Sequence, residues 1–125
     1  MDASTTAALN RGGVADIITV GRKSGQPRRT EIYFHQFDGR YFVTGKPGPR
    51  DWVANLKADP HFVLHLKPGS VVEVPVTAEL VTDVAERERI IWRCLTESWG
   101  RDERAARTEM PDRVASGLLI ELTVG

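Results

Sequence analysis

Apolar and polar positions alternate along much of the chain, and the alternation marks out short strands. Phe62, Leu64 and Leu66 interleave with His61, Val63, His65 and Lys67; Val72, Val74, Val76, Ala78 and Leu80 continue the pattern, with Glu73, Thr77 and Glu79 on the opposite face. A period of two predicts half-buried strands, and Pro68-Gly69 between them predicts a turn that closes a hairpin. Val14 to Val20 is rich in β-branched residues and stops at Gly21, which predicts a first strand. Arg29 to Phe37 runs into Asp38-Gly39, and Arg40 to Thr44 follows at once. Both central positions of a type I′ turn need positive φ, so an Asp-Gly pair between two β-prone runs predicts a second hairpin. Leu118 to Val124 reads as a closing strand.

Helical signals are fewer. Arg50 to Ala58 lies between Pro49 and Pro60, which predicts a short helix of limited length. Asp83 followed by Glu86 is an N-terminal capping pattern, and Ile91, Trp92, Leu95 and Trp99 recur at helical spacing, which predicts the one substantial helix. Arg101 to Arg113 is too polar to be assigned by periodicity. Residues 1–13 read as a loose arm or a short helix preceding a domain that spans 14–125. Six strands, mostly in antiparallel hairpins, predict a mainly β fold, a small antiparallel barrel rather than a doubly wound sheet. A Rossmann arrangement is disfavoured because crossover helices and a glycine fingerprint are both missing.

The 125 residues suit one domain with a core large enough to fold without disulfides or a structural metal. Cys94 is the single cysteine, which agrees with a reducing compartment and rules out an intramolecular disulfide. Neither a signal-peptide pattern nor an apolar run of membrane-spanning length is present, so the expected location is cytoplasmic, with peripheral contact to a membrane left open. Seventeen basic and seventeen acidic residues cancel, which argues against a nucleic-acid binder. The balance is uneven: Met1 to Lys67 carries ten Lys or Arg against six Asp or Glu, and Pro68 to Gly125 seven against eleven.

The positive excess gathers in Gly21-Arg22-Lys23-Ser24-Gly25-Gln26-Pro27-Arg28-Arg29, nine residues with four cations and no acid. Guanidinium forks, an ammonium, a hydroxyl and amides freed by glycine on one interstrand loop suit an anion with several oxygens. A solvated turn that keeps a sheet edge soluble is the other reading of the same loop. In Thr44-Gly45-Lys46-Pro47-Gly48-Pro49-Arg50-Asp51-Trp52-Val53-Ala54-Asn55-Leu56 a strand ends in a Gly and Pro rich bend and a helical turn begins, so amides near a helix N-terminus lie beside Lys46 and Arg50, a place for a second anion or the edge of a ring. Trp52 and Leu56, four residues apart, read as core. His35, His61 and His65 lack the spacing of a metal site. Cys94 reads as a buried inert thiol, and Trp92 and Trp99 as a core stripe. No acid-base pair or activated nucleophile is evident, so any chemistry would come from a cofactor.

The run Thr19-Val20-Gly21-Arg22-Lys23-Ser24-Gly25-Gln26-Pro27-Arg28, followed at this distance by Trp52 to Pro60 (WVANLKADP), resembles the deazaflavin-dependent nitroreductase and quinone reductase family. The likeness covers about Val14 to Leu80. It implies an FMN-binding-like split β-barrel, usually a homodimer, that binds coenzyme F-420, a deazaflavin with a phosphate and an oligoglutamate tail. It also implies hydride transfer to a small-molecule acceptor: a quinone, a nitroaromatic or an activated alkene. By this resemblance Arg22, Lys23, Ser24, Gly25 and Arg28 would grip the anionic part. Tyr33 would lie near the ring, Thr44, Gly45, Lys46, Pro47 and Gly48 would line the ring and phosphate side, and Trp52, Asn55 and Leu56 would build the wall. Gly45 stands where better-studied members carry Ser, and the tyrosines they use around the substrate are missing, so Trp92 or Trp99 would shape that side. An FMN-dependent relative and a cofactor-binding module without turnover are the alternatives.

Overall fold

A computed structural model describes residues 3–67 and 72–125. Six strands, β1 (Gly13–Val20), β2 (Pro27–Phe37), β3 (Arg40–Gly45), β4 (His61–Leu66), β5 (Glu73–Leu80) and β6 (Leu118–Val124), close into an antiparallel barrel in the order β1-β2-β3-β6-β5-β4. The helices are α1 (Ala3–Arg11), α2 (Asp51–Ala58), α3 (Val84–Arg93) and α4 (Glu103–Ser116). The split β-barrel expected from the resemblance is therefore the fold.

Alternation along the strands produces two cores rather than one. Inward positions, among them Ile17, Phe34, Val43, Leu64, Val74 and Ile120, fill the barrel, joined by Leu9 of α1 and Leu56 of α2. Outward Phe37 and Phe42 pack with Leu119 against Ile90, Ile91, Leu95 and Ala106 of the helical layer. The initial segment, read as a loose arm or short helix, is the helix α1, with Leu9 fully buried.

The Asp38-Gly39 hairpin forms as predicted: both residues hold positive φ, 54° and 78°, and Phe37 pairs with Arg40 across the turn. The Pro68-Gly69 turn falls outside the described residues. Asp83 caps α3, its carboxylate accepting from the Glu86 N–H at 3.0 Å. Cys94–Ser98 then continue α3 as a π-helical turn ending at Trp99. Arg101 to Arg113 escaped periodicity because α4 is polar nearly all round, burying only Ala106 and Arg113. It is capped instead by Asp102, which accepts from the Ala105 N–H at 2.8 Å, and carries Glu-to-Arg pairs at Glu103–Arg107 and Glu109–Arg113.

One irregularity in the register positions the site. β2 pairs with β3 only through His35, Gln36 and Phe37, whereas Pro27 to Phe34 pair with β1 alone. The long strand thus leaves β3, and the Lys46 to Arg50 bend and α2 follow β3 at this opening.

Candidate functional site

The cationic loop is a built turn. Gly21 and Gln26 are joined by an N–H to carbonyl bond of 2.8 Å, the Gly25 N–H returns to the Gly21 carbonyl at 2.8 Å, and Gly25 holds φ 70°. A side chain at Gly25 would be strained at that angle. Ser24 Oγ accepts from the Gln26 N–H at 3.1 Å and from the Arg28 guanidinium at 3.4 Å. The hydroxyl and Arg28 are therefore held together on one side of the loop.

Facing this loop is α2. Together they bound a cleft of about 450 Å³ lined by Arg22, Lys23, Ser24, Arg28, Arg29, Thr30, Asp51, Trp52 and Asn55, with Gly21 at its base. Four cations and one carboxylate give it a positive field. The cations do not play equal parts. Arg22 turns to α2: its backbone N–H and its guanidinium both donate to Asn55 Oδ1, at 3.1 and 2.9 Å, and a second donation reaches the Asp51 carbonyl at 3.3 Å. Arg29 is paired with Asp16 at 2.7 Å. Among the described residues Lys23 and Arg28 have no carboxylate partner, and both are exposed.

Asn55 is itself buried, its Nδ2 donating to Thr19 Oγ1 at 3.3 Å. It ties strand, loop and helix together. Trp52, half-buried, packs its ring against the barrel core while lining the cleft. Leu56 is inside the barrel core, behind that wall.

The remaining sequence candidates lie around the opening rather than in the cleft. Thr44 is buried, and its hydroxyl donates to the Leu118 carbonyl at 2.8 Å. Above Gly45 sits Arg50, whose guanidinium donates to the Lys46 and Gly48 carbonyls at 2.9 and 3.1 Å; a Cβ at Gly45 would come within 2.7 Å of it. Arg50 thus occupies the room a serine side chain would need. It also braces the Lys46-Pro47-Gly48 bend, where Gly48 holds φ 138°.

Tyr33 lies farther along β2, exposed, with its ring 5.0 Å from His35 and 5.9 Å from Trp99. Trp99 meets His35 edge-on at 4.7 Å and carries the Arg101 and Arg113 guanidinium groups on its ring. Of the two tryptophans considered for the substrate side, Trp99 adjoins Tyr33, whereas Trp92 carries Arg107 instead. Trp99 caps the π-helical turn, its backbone N–H donating to the Cys94 carbonyl at 3.1 Å. His35 is buried with both ring nitrogens unpartnered, and burial, with the Arg113 charge, lowers its pKa to about 4. It is neutral. Among the described residues no group of His, Cys, Asp or Glu could hold a metal.

Sequence reasoning missed Arg29, Thr30 and Asp51 in the cleft. Arg29 and Asp51 stood within the quoted motifs, but their placement depends on the strand face and helix phase, not on residue type.

The matching family model decides the relationship, for it covers residues 1–116 under the description F420H(2)-dependent quinone reductase. The chain belongs to that family. It is an oxidoreductase of the F-420-dependent class, with coenzyme F-420 as the family's cofactor. Solved structures share the fold. A structure called F420 reductase is 21% identical, with TM-score 0.67, covering 95% of this chain and 91% of that one. An F420-H2 dependent reductase, FDR-A, is 20% identical, with TM-score 0.63 over 89% and 94% of the two chains. A conserved hypothetical protein of Mycobacterium tuberculosis reaches TM-score 0.74 at 18% identity, over 99% and 81%.

The cleft fits such a coenzyme on its own terms. Lys23 and Arg28, without a carboxylate partner among the described residues, lie beside the Ser24 hydroxyl that Arg28 itself contacts, and one flat indole forms the wall. Phosphate and carboxylate groups suit the first, an extended ring system the second.

Proposed function

We propose that the chain reduces an electron-poor small molecule, a quinone, a nitroaromatic or an activated alkene, with coenzyme F-420 held between the cationic loop and α2. The observation that carries this reading is the pair Lys23 and Arg28, which among the described residues have no carboxylate ion pair, beside Ser24 in a cleft walled by Trp52. Lys23, Arg28 and Ser24 hold phosphate and glutamate oxygens, with Gly25 fixing the turn that presents them. Arg22 acts chiefly through Asn55, keeping the loop against α2. Thr44, Gly45, Lys46, Pro47 and Gly48 form the rim along which the ring system lies. Arg50 keeps that rim in one shape.

When bound in its reduced form, the coenzyme supplies a hydride from its ring. The protein contributes orientation, charge and exclusion of water rather than covalent chemistry. Tyr33 and Trp99 offer the acceptor an aromatic lip next to the rim. We also place the enzyme in the cytoplasm as a homodimer: Val14, Val20 and Tyr33 leave apolar surface open on adjoining strands, 45%, 45% and 37% exposed. Among the described residues no helix is long and apolar enough to cross a membrane.

Fluorescence titration with F-420 and FMN in parallel, followed by steady-state reduction of menadione, a nitroaromatic and an activated alkene, tests the reading. Tighter binding of F-420 than FMN, with turnover, is expected. Equal or preferred FMN binding overturns the cofactor, and tight F-420 binding with no turnover of any of the three acceptor types leaves a binding module.

A further inference from the structure

The face of α2 turned away from the coenzyme cleft bounds a second cavity. Successive residues of an α-helix turn by about 100°, so Asp51 and Asn55 face the cationic loop while Val53, Ala54 and Lys57 face the other way. This second cavity has a volume of about 490 Å³ and lies between α2, the end of β5 and the turn from α4 into β6. Its charged lining residues are Arg50, Lys57 and Arg87, with no Asp or Glu.

Each cation is in a distinct state. Arg87 donates to four carbonyls, those of Val114, Val81, Arg113 and Gly117, at 2.9, 2.9, 3.0 and 2.6 Å. Two of these, on Arg113 and Val114, lie in the last turn of α4 and a third on its cap residue Gly117, where the helix's negative pole would otherwise repel an anion. Arg50 is fixed by the Lys46 and Gly48 carbonyls. Lys57 is exposed and, among the described residues, has no carboxylate partner. Two fixed cations and one exposed ammonium therefore line a common space.

The rest of the lining sets apolar Val53, Ala54, Leu80, Val81 and Leu118 beside the polar Thr82 and Ser116. Leu80 was expected to alternate into the core, yet it is 41% exposed at the end of β5 and forms part of this wall. A smaller cavity of about 320 Å³ shares Val53, Lys57 and Leu80 with the first and extends the trough along α2. Glu79 lines only that extension. A ligand with one anionic head beside Lys57 and an apolar body over Leu80 meets complementary groups throughout, whereas a second anion at the far end would meet a carboxylate.

We infer that this trough binds an amphipathic monoanion, an elongated apolar molecule ending in a carboxylate or a like-charged group, on the opposite side of α2 from the cationic cleft and meeting the proposed coenzyme rim only at Gly48. Its volume is in the range of about 300–1,000 Å³ common for small-molecule sites.

The test is a titration of the full chain with 8-anilinonaphthalene-1-sulfonate, a fluorescent apolar anion, with decanoate as competitor. Lys57→Glu and Leu80→Asp change exposed side chains, and thermal melting checks that each variant is folded. Each is expected to weaken the probe by about fivefold or more, Lys57→Glu by reversing a partly screened charge contact and Leu80→Asp by setting a like charge in the trough. Arg104→Glu, with the same change in net charge on the exposed face of α4, is expected to leave it unchanged, as is Lys23→Ala in the other cleft. Decanoate displaces the probe in the native chain. Probe affinity equal in native, Lys57→Glu and Leu80→Asp proteins overturns the proposal. So does loss of binding in Lys23→Ala, which assigns the probe to the coenzyme cleft, or an equal loss in Arg104→Glu, which reduces the effect to net charge.

Discussion

Asn55 Oδ1 accepts from Arg22 twice, from its backbone N–H at 3.1 Å and its guanidinium at 2.9 Å, across a sequence separation of 33 residues. One buried amide thereby holds the cationic loop against α2. Asn55→Ala removes that acceptor and the bond to Thr19 together. Hydrogen bonds to a charged donor, lost at a buried site, cost about 2–3 kcal/mol, and urea denaturation should show a loss of that size. Coenzyme affinity should fall as well, because the loop is no longer held. Unchanged stability would mean the loop is fixed by its internal turn alone.

Lys23→Ala and Arg28→Ala should separate binding from folding. Both side chains are exposed and lack carboxylate partners among the described residues, so the urea midpoint should hardly move. Each removes a charge-assisted contact partly screened by solvent, worth about 1 kcal/mol, or roughly fivefold in the Kd for F-420. Rising salt should weaken the native protein more than either variant. A Kd that stays put in both variants would exclude the loop as the anion grip.

The same contrast shows what the sequence made legible. Strand alternation and the Asp38-Gly39 turn announce the barrel, because a period of two and a positive-φ pair are local properties. The cationic loop is equally visible as composition. That Arg22 is tied to Asn55 while Lys23 is not cannot be read there: it depends on how α2 lies against β1, a long-range packing result. Nor does periodicity reveal α4, where Ala106, Met110 and Val114 form only a thin apolar stripe among charged residues, and a cap and ion pairs add to it. The partial parting of β2 from β3, which opens the site, is a register feature with no signature in residue type.

Cys94 is fully buried between the helical layer and the barrel, and burial raises its thiol pKa to about 12. The thiolate, the reactive form, is therefore negligible at pH 8 in the folded protein. A disulfide-exchange reagent such as DTNB should label the native chain only as fast as it opens, and at once in denaturant. Fast stoichiometric labelling of the folded enzyme would contradict the packing of α3 against Phe42 and Leu119.

Trp99 touches Tyr33 and His35 but does not line the cationic cleft. Trp99→Leu should accordingly raise the KM for the acceptor several-fold and leave the Kd for F-420 within about twofold, since aromatic pair contacts are worth about 0.5–1.5 kcal/mol. A matching loss in both quantities would place the indole against the coenzyme instead.

His35 gives stability a defined pH dependence. Tyr33, Phe37 and Trp99 pack around its ring, the Arg113 charge acts on it, and neither ring nitrogen has a hydrogen-bond partner. Burial first, and Arg113 second, lower the pKa from 6.5 to about 4. Because the folded value lies below the unfolded one, the unfolded chain binds the extra proton between those two values. Stability is therefore at its full level above pH 6.5 and falls as the pH drops toward 4, by on the order of 3 kcal/mol in total. Asp16 and Glu121 have carboxyl pKa values held below their ordinary ones of 3.8 and 4.5, Asp16 by Lys67 and Arg29, Glu121 by Arg40. Their losses come at still lower pH. His35→Phe, which keeps an aromatic ring in the same space, should flatten the melting temperature between pH 6.5 and 5 while the native protein declines across it. Parallel declines in the two proteins would assign the acid sensitivity to other groups and leave His35 a packing residue only.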